Sequence, residues 1–294
     1  MSTQKFTGTG VAIATPFRED SSIDFKSLGK LTEYLIKGGV NYIVVLGTTG
    51  ESVTLNKDEK SAVVNYVTDT VNKRIPVVVG IGGNNTAEVL SCISACNYEN
   101  IDAILSVAPY YNKPSQEGLY QHFKAIATTS PVPVILYNVP GRTASNISAG
   151  TTVRLAKDMK NIIGVKEASG NMTQVMQILR DAPAEFLIIS GDDALTLPMI
   201  TMGGAGVISV IGNAYPKLFS DMVSAALNKD YEKAAKIHFN MLDFIDAMFK
   251  EGNPSGIKAA LEIKGICSKN VRLPLVPVSK EHYQAIKDLV KKLG

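Results

Sequence analysis

Short apolar runs rich in Val and Ile recur along the first three-quarters of the chain, at 10–14, 42–46, 76–81, 103–108, 132–138, 162–167, 186–190 and 206–211. None alternates strictly between apolar and polar positions, so each reads as a strand buried on both faces. The segments between them are long enough for the crossover helix that parallel neighbours require. Several carry helix signals. Asp24 can cap a helix with Leu28, Leu31 and Leu35 on one face, stopped by Gly38 and Gly39. Asn56 followed by Glu59 reads as a capping box, with Val63, Val67 and Val71 continuing one face. Leu119, Phe123, Ile126 and Ala127 form another apolar stripe.

Eight repeats of strand then helix predict a closed (β/α)8 TIM barrel. An open doubly wound sheet is the alternative, but no Gly-rich dinucleotide fingerprint follows the first strand. After about Ala214 the strands stop, and helical patterns follow at 231–250, 254–265 and 279–293. In the last, Tyr283, Ile286, Leu289 and Val290 share a face, with Ser279 as cap and a stiff Pro-containing connector over 272–277 ahead of it. The expected division is a barrel domain over 1–225 and a C-terminal helical extension over 226–294.

Composition narrows the picture without redirecting it. The 294 residues are 45% hydrophobic and 19% charged, the balance of a globular protein with a large core. A net charge of +3 is too small and too scattered for a nucleic-acid partner. Lys287, Lys291 and Lys292 cluster mildly where they suit a helix C-terminus. No secretory signal opens the chain and no apolar run nears the ~20 residues that span a bilayer, so no membrane partner and a cytoplasmic location are expected. Cys92, Cys96 and Cys267 form no Cys-x-x-Cys pair and are expected to be reduced, buried thiols. His122, His238 and His282 are isolated, so they read as packing or surface residues and no metal is expected.

The residue that breaks the apolar pattern is Lys166, within Ile162-Ile163-Gly164-Val165-Lys166-Glu167-Ala168. Lysine is depleted in strands and rarely buried without a partner. At the C-terminal end of a barrel strand it would enter the mouth, where barrel active sites lie. Desolvation there favours a neutral amine, the nucleophilic form. A lone strand-end lysine reaching solvent is the ordinary reading; its neighbours at the same rim change that. Strand two runs into Gly47-Thr48-Thr49-Gly50-Glu51-Ser52, whose backbone and hydroxyls can donate to an anion. Strand four ends at Tyr110 and Tyr111, and strand five at Tyr137 with Arg142 five residues later. A phenol can relay protons, and a guanidinium can grip a carboxylate through two parallel hydrogen bonds. Ser190-Gly191-Asp192-Asp193 adds two carboxylates at the rim, read as a capped loop because no third metal ligand accompanies them. Gly203, Gly204 and Gly206 precede strand eight and belong to a helix C-terminal turn on the opposite face.

These motifs, with Tyr110-Tyr111-Asn112-Lys113-Pro114 and Tyr137-Asn138-Val139-Pro140-Gly141-Arg142, resemble the dihydrodipicolinate synthase family of pyruvate-dependent class I aldolases. The resemblance runs from about Gly8 to the 272–277 connector. It implies a step of lysine and diaminopimelate biosynthesis: Lys166 forms a Schiff base with pyruvate, and the derived enamine attacks L-aspartate 4-semialdehyde to give 4-hydroxy-tetrahydrodipicolinate. By matching position, Tyr137, Thr48 and Tyr111 form a proton relay, with Tyr111 donated across the interface of at least a dimer. Thr49 holds the pyruvate carboxylate and Arg142 that of the semialdehyde, while Gly191 and Ile208 line the site with backbone carbonyls. The protonated imine is itself an electron sink, so no cofactor is implied. Some members are inhibited by L-lysine in a cleft matching Ser52, Val53, Asn84, Glu88 and Tyr110 plus two histidines; this chain has Lys57 and Lys60 at the histidine positions.

Two other functions remain open from sequence. A sister enzyme, N-acetylneuraminate lyase or a keto-deoxy-sugar acid aldolase, shares the lysine chemistry but needs hydroxyl-binding groups in place of a second carboxylate grip; Arg142 disfavours it. A catalytically silent sensor on the same barrel is disfavoured by the complete set Lys166, Tyr137, Thr48 and Tyr111.

Overall fold

A computed structural model describes residues 3–294. Eight parallel strands close in sequence order: β1 Gly8–Ala12, β2 Tyr42–Val45, β3 Val77–Gly80, β4 Ala103–Val107, β5 Val134–Asn138, β6 Ile162–Glu167, β7 Leu187–Ser190 and β8 Gly206–Ser209. Between them run α1 Phe25–Lys37, α2 Lys57–Val71, α3 Thr86–Ala95, α4 Gln116–Thr129, the single-turn α5 Pro140–Thr143, α6 Ala149–Asp158, α7 Met172–Asp181 and α8 Thr196–Thr201. After β8 come α9 Pro216–Leu227, α10 Tyr231–Lys250, α11 Ser255–Ile263 and α12 Lys280–Leu293. The closed barrel settles the choice against an open sheet: β1 pairs with β8, matching Gly10 to Ile208 and Val11 to Ser209.

Alternation of side chains builds two layers from each strand. On β2, Tyr42 and Val44 point into the barrel with Phe6, Leu105, Ile135 and Ile189, while Ile43 and Val45 pack outward against Leu28, Leu31 and Leu35 of α1 and Val63 and Val67 of α2. Each such buried side chain contributes roughly 1.5–3 kcal/mol. The predicted caps are in place. Asp24 accepts from Ser27 N, and Ser279 from His282 N. Asn56 and Glu59 satisfy each other's backbone N–H groups, removing two orphan donors from the start of α2.

Gly206 shows where closure demands a missing side chain. Its φ is +142°, and a Cβ there would lie 2.0 Å from the Gly8 carbonyl oxygen. The turn before it, Gly203 and Gly204 donating to Ile200 O and Met199 O, ends α8 on the structural face as expected. Helices α9, α10 and α12 share a core of Phe219, Met222, Phe244, Met248 and Ile286.

The three histidines are all buried, as packing residues. All three cysteines are free thiols, as expected, but only Cys267 is buried. Cys96 is half-buried and Cys92 is exposed, because α3 turns only Val89 and Ile93 fully inward. Among the described residues no helix is long and apolar enough to cross a membrane.

Candidate active site

Strand parity determines where Lys166 goes. Val165 packs outward in the helix-facing core, so Lys166 points into the barrel. It pairs in register with Tyr137 of β5 and Ile189 of β7, and its Nζ lies 4.2 Å from the centroid of the Tyr137 ring. The side chain is 5% exposed, and among the described residues no carboxylate pairs with its ammonium. Its charge reaches the Asp193 carboxyl without an ion pair. Burial pushes the Asp193 carboxyl up to about 6, and Asp192 adds to the rise; the Ser209 hydroxyl, the Val210 N–H and the Lys166 charge oppose it. Asp192 accepts from Ala194 N and Leu195 N, so the acidic pair is a capped loop at the rim.

Gly191 makes room for the lysine. A Cβ at this position would sit 3.0 Å from Lys166 Cε and 2.6 Å from the Ala168 methyl, closer than ordinary packing allows. Behind the strand, Glu167 is held by Asn138 Nδ2, Ser169 N and Gln174 Nε2, which fixes β6 against β5 and α7.

The threonine loop is set by backbone in unusual regions. Leu46 and Glu51 have φ of 59° and 52°, bracketing one 3-10 turn over Thr48–Gly50. Thr15 Oγ1 holds the Gly50 carbonyl from β1's side. From the opposite side, the wholly buried Lys258 of α11 binds the Glu51 carboxylate, and Arg272 N donates to it at 3.0 Å. Burial pulls the Lys258 ammonium below its usual range, and Glu51 counteracts this. Lys258 also donates to Asn270 O and lies 4.1 Å from the Phe17 ring centroid. A desolvated pair of this kind loses several kcal/mol of hydration per ion, and the added hydrogen bonds and ring face offset part of that loss.

These elements surround a cavity of about 490 Å³ that includes Thr48, Thr49, Tyr137, Arg142, Lys166 and Gly191. Six of the residues expected from sequence therefore meet at one mouth. Thr49 is buried, Thr48 exposed, and Arg142 stands exposed on α5, paired with no carboxylate among the described residues. Two expected residues do not line this cavity. Ile208 packs its side chain into the barrel interior beside Ala12 and Ile189. Tyr111, at φ 71° and 89% exposed, projects to solvent from the loop after β4. A second cleft of about 500 Å³, between Tyr34, Lys37, Tyr215 and the chain's last residues, contains none of the expected site residues.

The extension contributes what the sequence reading left out. Ile245, Asp246, Phe249 and Lys250 of α10 form part of the wall, and Asn253 donates from Nδ2 to Thr49 Oγ1 at 3.0 Å. A signal for Lys258 was present: it is the one charge in the otherwise apolar first turns of α11. Asn253 carried none, since its partner lies 204 residues away.

A buried lysine amine, a phenol ring beside it, hydroxyls and a guanidinium at the rim suit covalent chemistry on a small carboxylated ketone. The model of the dihydrodipicolinate synthetase family matches residues 5–293. The chain belongs to that family. A 4-hydroxy-tetrahydrodipicolinate synthase of Flavobacterium psychrophilum is 51% identical over 99% of both chains. One of Parabacteroides distasonis is 50% identical over 98% of this chain and 97% of its own. The structure of a chloride-inhibited dihydrodipicolinate synthase from Acinetobacter baumannii, complexed with pyruvate, superposes with a TM-score of 0.94 at 40% identity, covering 97% of this chain and 98% of that one.

Proposed function

We propose that this family member condenses pyruvate with L-aspartate 4-semialdehyde at Lys166, as a cytoplasmic 4-hydroxy-tetrahydrodipicolinate synthase. The observation that carries the reading is the placement of the buried Lys166 amine beside the Tyr137 ring, with Thr48, Thr49 and Arg142 around the same cavity. The relatives' shared name, and the pyruvate in the Acinetobacter structure, support the same reaction.

The Lys166 amine adds to the pyruvate ketone, and the resulting carbinolamine loses water to give a protonated imine. Loss of a methyl proton gives the enamine, whose terminal carbon forms a bond to the aldehyde carbon of the second substrate. The semialdehyde's own amine then attacks the imine carbon, closing the ring and releasing Lys166. Each step moves protons, and Tyr137 with Thr48 carries them. Thr49 donates to the pyruvate carboxylate. Arg142, free at the rim, grips the carboxylate of the semialdehyde. Gly191 lines the path of the substrate, and Ile208 backs it from the barrel interior. Tyr111 is too exposed to serve its own cavity; its exposure, with Val53 at 83%, supports donation to a neighbouring copy's relay in at least a dimer.

The test is a product assay with both substrates. Formation of 4-hydroxy-tetrahydrodipicolinate, dependent on both, supports the reading; turnover of N-acetylneuraminate in its place contradicts it.

A further inference from the structure

Two kinds of contact tie the C-terminal extension to the threonine loop, and they act on different parts of it. Lys258 and Arg272 N hold the Glu51 carboxylate, while the Arg272 guanidinium donates to Thr54 O at 2.9 Å. These contacts fix the loop's frame. The Asn253 side chain bonds to no atom of that frame. Its one hydrogen bond goes from Nδ2 to the hydroxyl of Thr49, and its own Oδ1, buried, has no partner among the described residues. The amide is directed at a single side-chain oxygen in the cavity wall.

The consequence follows from what a hydroxyl can do. Thr49 Oγ1 has one proton and two lone pairs. The Asn253 N–H occupies a lone pair, so the threonine's own proton points elsewhere. No protein acceptor among the described residues takes it, and Thr49 lines the cavity. An N–H donated into the oxygen also polarises the O–H outward, strengthening it as a donor.

We propose that Asn253 is a positioning residue for the 2-oxo acid's carboxylate: by donating to Thr49 Oγ1 it commits that hydroxyl's proton to the substrate. The inference rests on the reading that Thr49 grips pyruvate. It assigns to the segment between α10 and α11 a part in choosing the first substrate. Loss of Asn253 frees the Thr49 hydroxyl to rotate among neighbouring carbonyls, which weakens pyruvate capture without touching the semialdehyde.

The experiment measures the pyruvate dependence of borohydride trapping on Lys166, beside steady-state KM values for both substrates. Asn253→Ala raises half-saturating pyruvate about tenfold, near the effect of one hydrogen bond, and leaves the semialdehyde KM within twofold. Asn253→Asp, of the same shape, gives the sharper result. An ionised carboxylate only accepts, so it turns the Thr49 proton away from substrate and adds a like charge; a protonated one donates again. Its pyruvate half-saturation, divided by that of the unmodified protein at each pH, therefore exceeds the alanine variant's at pH 8 and falls as pH is lowered. In a Thr49→Val background, Asn253→Ala adds less than twofold. The proposal is overturned if Asp and Ala variants have the same pH-independent effect, or if the alanine effect persists undiminished in the Thr49→Val background. If Asn253→Ala does not fold, the isosteric Asp variant and its pH profile decide alone. Absence of trapping in the unmodified protein overturns the pyruvate reading itself.

Discussion

Lys166 and Tyr137 are register partners on adjacent strands, and the amine nitrogen lies 4.2 Å from the phenol ring's centroid. The ring offers a π-face to the cationic form, and its hydroxyl is the group proposed to carry protons. Tyr137→Phe separates the two, keeping the face and removing the hydroxyl. The expected outcome is a kcat lower by roughly 10²–10⁴-fold, the range for a general acid–base group. Pyruvate trapping on Lys166 persists at long incubation. A kcat within threefold of the unmodified protein would remove Tyr137 from the relay.

Arg142 is predicted to act on the second substrate alone. It sits on a one-turn helix begun by Pro140, exposed at the rim. Arg142→Ala should leave pyruvate trapping intact and raise the semialdehyde KM, by about 1.5–3 kcal/mol for a charge-assisted hydrogen bond. Separate KM determinations check it. An unchanged semialdehyde KM would take Arg142 out of the site and revive the sugar-acid lyase reading.

The buried Lys258–Glu51 pair joins the extension to the threonine loop. Lys258→Met should destabilise the protein by roughly 3–5 kcal/mol, because it strands a buried carboxylate. Adding Glu51→Gln should recover most of that loss. Denaturant midpoints of the two variants test this; equal midpoints would mean that the charge pair is not what the single substitution breaks.

Much of this architecture was legible in the chain because it is local. All eight strands fall within two residues of an apolar run at each end, and α10 has the bounds read from its periodicity. The first strand lies at Gly8–Ala12 rather than 10–14, since Gly8 and Thr9 carry no apolar signal while Ile13 and Ala14 are buried just beyond the strand's end. The apolar run at 206–211 outlasts β8 because Ile211 opens a buried 3-10 turn. Lys166 was visible as a charge in an apolar strand. Gly191 was expected through its carbonyl, and its steric part, room for Lys166, needed coordinates. Asp246 and Lys250 were not visible, because nothing in an amphipathic helix says which end of a barrel it closes, and Asn253 lies between two helices, 204 residues from its partner.

Feedback by L-lysine should be weak or absent. Lys57 is exposed and Lys60 half-buried on the first turn of α2, and neither pairs with a carboxylate among the described residues. A lysine side chain has only donors and its own positive charge, so it opposes an incoming ammonium where an imidazole could accept from it. Salt softens the repulsion. Titration of L-lysine into the steady-state assay checks this: half-inhibition below about a millimolar would contradict it.

The central claim is that Lys166 is the nucleophile, and trapping tests it most directly. Incubation with pyruvate and borohydride, followed by peptide mass spectrometry, should find one covalent adduct, on the peptide containing Lys166, and none in Lys166→Ala. An adduct that survives that substitution would place the nucleophile elsewhere and contradict the account.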